Sequence, residues 1–304
     1  MAGADKKMGE KKMRRDAQAL VVSFCHSFFC LSLLLAICAA DEPPGAATLH
    51  KKWQDKYRSI ADSLEMRRGQ VKLTLEPVAL SYYTNPVRTN DQHGAIFLWT
   101  EGGRPAVFGS IWSAESRTDP KTRNVTHEWH SLVEDLDVTT TRKGQVLWNC
   151  GEPGIAWLPL AELAPPAASR AARLVQMRAI PRRYSVDIQA EGESDLRLGT
   201  QPLYRYPEKT ADAIDGAIFA FGMATDPELL VLVEAHDKDQ KPAWHVAFAR
   251  FGNKAMKVTE GERLVWSCGA GAPGRSEGKY HLFWRAEQMP AEPTPDPRPP
   301  TPDP

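Results

Sequence analysis

The sequence predicts a mainly β protein of the α+β type, in which two similar antiparallel β units stand in tandem, each preceded by a helix. Three observations carry this. Short segments recur in the same order. Gly94-Ala95-Ile96-Phe97 returns as Gly216-Ala217-Ile218-Phe219, Trp129-His130 as Trp244-His245, and Val146-Leu147-Trp148-Asn149-Cys150-Gly151 as Leu264-Val265-Trp266-Ser267-Cys268-Gly269. Their offsets are 122, 115 and 118 residues. The apolar runs between them are short and rich in β-branched and aromatic residues, as strands are. Helical spacing of apolar residues is confined to one stretch ahead of each copy. A period this long exceeds the roughly 20–50 residues of a solenoid unit, so it describes two subdomains or two halves of one pseudo-symmetric domain.

The elements follow in chain order. Residues 1–40 read as an export signal. Lys6, Lys7, Lys11, Lys12, Arg14 and Arg15 form a basic start, an apolar run extends from Ala19 to Ala40, and Cys38-Ala39-Ala40 ends in the small residues a signal peptidase reads. Cleavage is placed after Ala40. The alternative is an N-terminal membrane anchor, because the run has 22 residues and about 20 span a bilayer. His26 and the interspersed serines weaken it as an anchor.

Residues 41–69 form an N-terminal helical segment. Trp53, Tyr57, Ile60 and Leu64 fall at helical spacing over Thr48 to Arg68, and Gly69 terminates it. The first β unit is 70–165. Val71-Lys72-Leu73-Thr74-Leu75 alternates as a half-buried strand does, and the polar stretch Ser113 to Thr126 reads as a hairpin loop. Val138 to Trp148 reads as a hairpin turning at Lys143-Gly144. A linking helix occupies 166–184, with Leu174, Val175 and Met177 after Pro165-Pro166. The second β unit is 185–288, with its matching hairpin turning at Glu260-Gly261. The tail, 289–304, has eight prolines between Pro290 and Pro304 and is expected to be disordered, since proline neither continues a helix nor donates to a ladder.

Composition narrows the function. Lys plus Arg and Asp plus Glu are each 38 of 304 residues, so the formal charge is zero. Removing the signal leaves 32 basic and 35 acidic groups, a net of −3. That excludes a general nucleic-acid binder, which needs a basic surplus to displace counterions. No P-loop, GxGxxG, HExxH or GxSxG motif is present.

The strings Tyr83-Thr84-Asn85-Pro86-Val87-Arg88, Gly94 to Trp99 and His127-Glu128-Trp129-His130-Ser131-Leu132 resemble an uncharacterised family of exported bacterial proteins. So do Arg173 to Arg178, Gln201 to Tyr206 and Asp215 to Phe221 in the second half. The resemblance spans most of residues 48–285. It implies export and the two-copy layout, and it brings no activity, ligand or catalytic residue. It departs at Cys150 and Cys268, which stand where the family pattern has no cysteine.

The site candidates are these. Trp99 and Trp112 have no tryptophan counterpart in the second copy, which makes them candidates for a binding face shared with Tyr83, Arg88 and His130. His127, Glu128 and His130 are the densest group of chemically capable side chains. They found the alternative reading: a metal-dependent or hydrolytic enzyme using these three, with Asp135 and with His127 and His130 as metal ligands. On a regular strand, however, His127 and His130 point to opposite faces. Glu134, Asp135 and Asp137, like Asp237 and Asp239, are read as solvated loop charge. Cys150 and Cys268 are the only cysteines beyond the signal and form a candidate disulfide. The opposite expectation is two buried thiols too far apart to pair. The functional expectation is an exported, non-enzymatic binding or structural module of the cell envelope. It needs no cofactor, and its partner would be an envelope component, a peptide or a carbohydrate.

Overall fold

In the computed structural model, the described residues are 46–85, 91–135, 137–189, 196–207, 210, 213–223, 225–238, 241–271 and 280–293. The signal and the end of the proline-rich tail lie outside them. Strands dominate, at 56% against 13% helix, and every pairing among the described residues is antiparallel.

The chain opens with α1 (Ala46–Asp62) and runs through β1 (Leu64–Arg68), β2 (Val71–Lys72), β3 (Thr74–Leu75), β4 (Ser81–Asn85), β5 (Gln92–Glu101), β6 (Arg104–Glu115), β7 (Thr122–Ser131), β8 (Val138–Arg142), β9 (Gln145–Cys150) and β10 (Leu158–Pro159). After α2 (Arg170–Ala179) come β11 (Tyr184–Gln189), β12 (Arg197–Leu198), β13 (Tyr204–Arg205), β14 (Ala213–Met223), β15 (Asp226–Lys238), β16 (Lys241–Arg250), β17 (Ala255–Glu260), β18 (Arg263–Cys268) and β19 (His281–Pro290).

Two large sheets form the centre. One has the order β19-β7-β6-β5-β3, with β4 also on β5; the other is β10-β16-β15-β14-β12, with β13 also on β14. They pack face to face through Ile96, Leu98 and Phe108 of the first and Ile218, Leu230, Leu232 and Ala247 of the second. The outer face of the first sheet is covered by α1 and the small sheet β2-β1-β8-β9, and that of the second by α2 and β11-β17-β18. This explains why Ala95 to Trp99 is a continuous apolar run. A sheet covered on both faces has no polar side to alternate with.

The order of elements recurs: a helix, a strand for the outer sheet, short strands, a three-strand meander, and a hairpin that returns to the outer sheet. The last strands are exchanged. β10, at the end of the first half, pairs with β16 of the second, and β19, at the end of the second, pairs with β7 of the first. Both helices dock on the same cross-strand position. Tyr57 Oη of α1 lies 2.8 Å from His93 Nδ1 and 2.6 Å from Ser113 Oγ, while Arg173 of α2 donates to Asp215 at 2.9 Å. His93 is paired with Ser113 across β5–β6, as Asp215 is with Ala235 across β14–β15.

The recurring glycine has a steric reason. A β-carbon on Gly94 would come within 2.5 Å of Trp112 Cβ and 2.9 Å of the Tyr83 ring, and one on Gly216 within 2.5 Å of the Tyr206 ring. No side chain fits under either tyrosine.

Four expectations change. Leu64 to Arg68 is not helix but strand β1: Leu64 continues the helical spacing four residues after Ile60, but Leu64 and Met66 turn inward with a strand's period of two. The loop within Ser113 to Thr126 is shorter than expected, because β6 runs to Glu115 and β7 starts at Thr122. The second hairpin turns at Gly261-Glu262, one residue later than expected, whereas Lys143-Gly144 turns as expected with φ of 51° and 76°. Finally, Trp129 does not correspond to Trp244. Aligned on the recurring glycines, the rung Gly94–Trp112–Thr126 matches Gly216–Glu234–His245. That places Trp129 opposite Gly109 where the second half has Phe248 opposite Val231. Trp148 pairs with Thr140 and Trp266 with Val258, each beside an irregularity at the same place in its hairpin.

Candidate functional site

The polar group most deeply committed between the two large sheets is Glu234. It lies on β15, where Val233 and Ala235 face the outer core and even-numbered residues face inward. Its side chain is 1% exposed, and a carboxylate buried this far must be paired and hydrogen-bonded to remain charged. Three groups do this. Arg104, at the start of β6, forms a two-point pair, with Nε 3.1 Å from Oε1 and Nη2 2.9 Å from Oε2. Tyr206 donates its hydroxyl to Oε1 at 2.7 Å, and His236 Nε2 donates to Oε2 at 2.7 Å. Burial opposes ionisation, but His236, Arg104 and Tyr206 outweigh it and hold the carboxyl below its usual range. The Tyr206 hydroxyl is pushed well above its ordinary range, by burial first and then by the Glu234 charge.

The network reaches the surface through rings. His236 stacks on His245 at 4.1 Å between centroids, and Trp157 meets His236 edge-on at 5.3 Å. Burial, then the neighbouring His236, lowers the His245 pKa. Trp157, half-buried, and Arg104 line a cleft of about 230 Å³ with Arg68, Glu101, Glu134 and Asp135. Arg68 is paired with Glu101 at 2.7 Å and with Asp135. The cleft thus has one indole wall and two guanidinium groups, each fixed by carboxylates. Such a surface orients hydroxyl, carbonyl or amide groups of a ligand without first having to order its own side chains.

The residues singled out in the sequence lie elsewhere. Trp99 is in the first outer core at 1% exposure, so it has no open face. Tyr83 and Trp112 share the inward face around Gly94, with Tyr83 Oη 2.9 Å from Ser110 Oγ; burial raises the Tyr83 pKa well above its ordinary value. Trp99 and Trp112 therefore occupy opposite faces and do not form one platform. Arg88 lies outside the described residues, as does Asp239. His130 is buried inward, 3.4 Å from Glu128, stacked with His281 at 5.9 Å, and kept neutral by burial.

His127 faces the outer core, against Trp129 and Trp284. The strand is regular, so His127 and His130 lie on opposite faces and cannot chelate one ion. No group of three or more metal-ligating side chains occurs among the described residues. Asp135 is engaged by Arg68. Cys150 and Cys268 are free thiols, one in each outer core, with the sandwich between them; the candidate disulfide is corrected accordingly.

Arg104, Glu234, His236 and Trp157 were not singled out in the sequence. A signal existed for two of them: Glu234 and His236 are the only polar residues in Leu229 to His236 and share one strand face. Nothing local joins them to Arg104, 130 positions away.

Among the described residues, no helix is long and apolar enough to cross a membrane. Compared with family models, characterised proteins and solved structures, the chain matches none.

Proposed function

We propose that the protein is an exported, non-enzymatic binding module of the cell envelope, built from two copies of one β unit, and that the Arg104–Trp157 cleft holds its ligand. The signal-like start, the resemblance to exported proteins and the recurring order of elements support this reading. In it the mature chain begins at Asp41, the proline-rich tail is a spacer, and no cofactor takes part. The ligand is an envelope saccharide or peptide, small enough for one indole and one guanidinium to hold.

The observation that carries it is the Arg104–Glu234 pair beside Trp157. A fully buried carboxylate with three partners fixes a guanidinium at the rim of a cleft, and an aromatic wall stands next to it. The enzyme alternative has no comparable support, because His127 lies on the opposite strand face from Glu128 and His130.

The test is titration of the mature protein with tetra-N-acetylchitotetraose and, separately, tetra-alanine, followed by tryptophan fluorescence. One of them is expected to give a saturable change that Trp157→Ala abolishes and Arg104→Gln weakens at least tenfold. No saturable change with either, or one that survives Trp157→Ala, would overturn the reading.

A further inference from the structure

The outer core of the first half contains polar atoms that its counterpart lacks. His127 is fully buried, and neither ring nitrogen has a hydrogen-bond partner. The same holds for Trp129 Nε1, Thr140 Oγ1 and Arg142 Nε. At the corresponding rungs the second half has Val246, Phe248 and Val258, all buried in its outer core. The layer can therefore be built without these polar groups. In the second half the corresponding atoms are Trp244 Nε1 in the core and, in the layer of α2 and the turn after it, Arg170 Nη1, Arg178 Nε and Arg183 Nη1; no unpartnered imidazole lies in that core among the described residues. A buried polar atom left unpaired costs about 1–3 kcal/mol, so several within one layer call for a partner.

A cleft lies next to this layer. Between the β8–β9 hairpin and β19 lies an open cleft of about 420 Å³ lined by Arg142, Lys143, Leu147, Trp284 and Glu287. Trp284 is its aromatic wall and sits edge-on against His127, 5.9 Å between centroids. Arg142 is also a cleft residue and acts electrostatically on His127, whose pKa is pushed down to about 3, by burial first and by Arg142 second. His127 is thus neutral and offers one N–H. Trp129, 5.2 Å from it, offers an indole N–H, and Arg142 its Nε–H. The available groups are mostly donors. Arg142 and Lys143 outweigh Glu287, which pairs with Arg142 at 3.3 Å.

We propose that this cleft is the mouth of a second ligand site, independent of the Arg104 cleft, which takes a small carboxylate whose apolar face lies on Trp284 and whose oxygens accept from Arg142, His127 and Trp129.

The probe is benzoate, titrated into ¹⁵N-labelled mature protein with chloride at matched ionic strength as control. Benzoate is expected to move the Trp129 indole N–H resonance saturably and leave that of Trp244 in place. It should also raise the unfolding midpoint, as any ligand of the native state does. His127→Val, which installs the residue found at the matching rung, should lose the response without lowering the midpoint of the unliganded protein. Arg142→Gln, near the surface, should weaken binding at least tenfold and keeps the test open if the core variant does not fold. Two results would overturn the proposal: no benzoate-specific shift at Trp129, or a His127→Val protein that unfolds earlier and still responds.

Discussion

The two halves place their polar chemistry on opposite sides of the same scaffold. On the inward face, the rung that reads Gly94–Trp112–Thr126 in the first half reads Gly216–Glu234–His245 in the second. On the outward face the asymmetry reverses: the first half has His127, Trp129 and Thr140 where the second has Val246, Phe248 and Val258. The packing that holds a meander under a helix and a hairpin tolerates either choice. What differs is how the polar groups are satisfied. Glu234 is fully partnered within the protein, whereas the hydrogen-bonding atoms of His127 are not. At the inward rung and at the outward rungs alike, packing admits an apolar residue where the other half carries a polar one.

The largest expected effect comes from removing the partnered charge. Glu234→Ala leaves Arg104, Tyr206 and His236 facing a hole between the sheets. Breaking one side of a buried ion pair costs about 3–5 kcal/mol, and with Arg104 a quarter exposed the lower end applies. Urea unfolding measures it. A loss within error would mean that the network is as dispensable as the Trp112 rung it replaces.

The outward face makes a prediction about pH. The folded pKa of His127 lies near 3, below the roughly 6.5 of the unfolded chain. Between those values the unfolded state holds a proton that the folded state refuses, so stability falls as pH drops through this window and is fully present above it. Each such proton contributes a slope of about 1.4 kcal/mol per pH unit. His127→Val should remove one proton's worth of slope between about pH 6 and pH 3. Val246, on the matching rung, contributes none. An unaltered slope in the variant would place His127 in contact with water and erase the difference between the two outer cores.

How much of this was legible beforehand depended on whether the cause was local. The recurring Gly-Ala-Ile-Phe was legible, and so was the β class, because a run of apolar residues after glycine reflects a strand buried on both faces. The reason for the glycine was not: it is the ring of Tyr83 or Tyr206, which reaches it across a strand pair. Trp129-His130 and Trp244-His245 look alike in sequence but sit four residues apart in register, since the loops before β7 and β16 differ in length. The opposite orientation of His127 and His130 followed from strand geometry alone and came out as expected. Arg104 meeting Glu234 was invisible, because only the packing of the two sheets brings them together.

The smallest effect, and the sharpest on geometry, concerns the cysteines. Cys150 and Cys268 hold matching rungs, paired with Val138 and Met256, yet one is fully buried and the other half-buried. Cys150 donates its Sγ–H to the Glu152 carbonyl at 3.0 Å, whereas Cys268 lies 3.9 Å from that of Lys254. Burial raises both thiol pKa values, which lowers the thiolate fraction that reacts. The mature, unreduced protein should therefore show two thiols on denaturation, and reduction should not shift its unfolding midpoint. In the native state both should label slowly with a thiol reagent, Cys268 before Cys150, because exposure rather than basicity separates them. Labelling at equal rates would mean that the first outer core opens as readily as the second. No thiols in the unreduced monomer would require the ends of β9 and β18 to lie side by side, and two separate outer cores with a sandwich between them could not then exist.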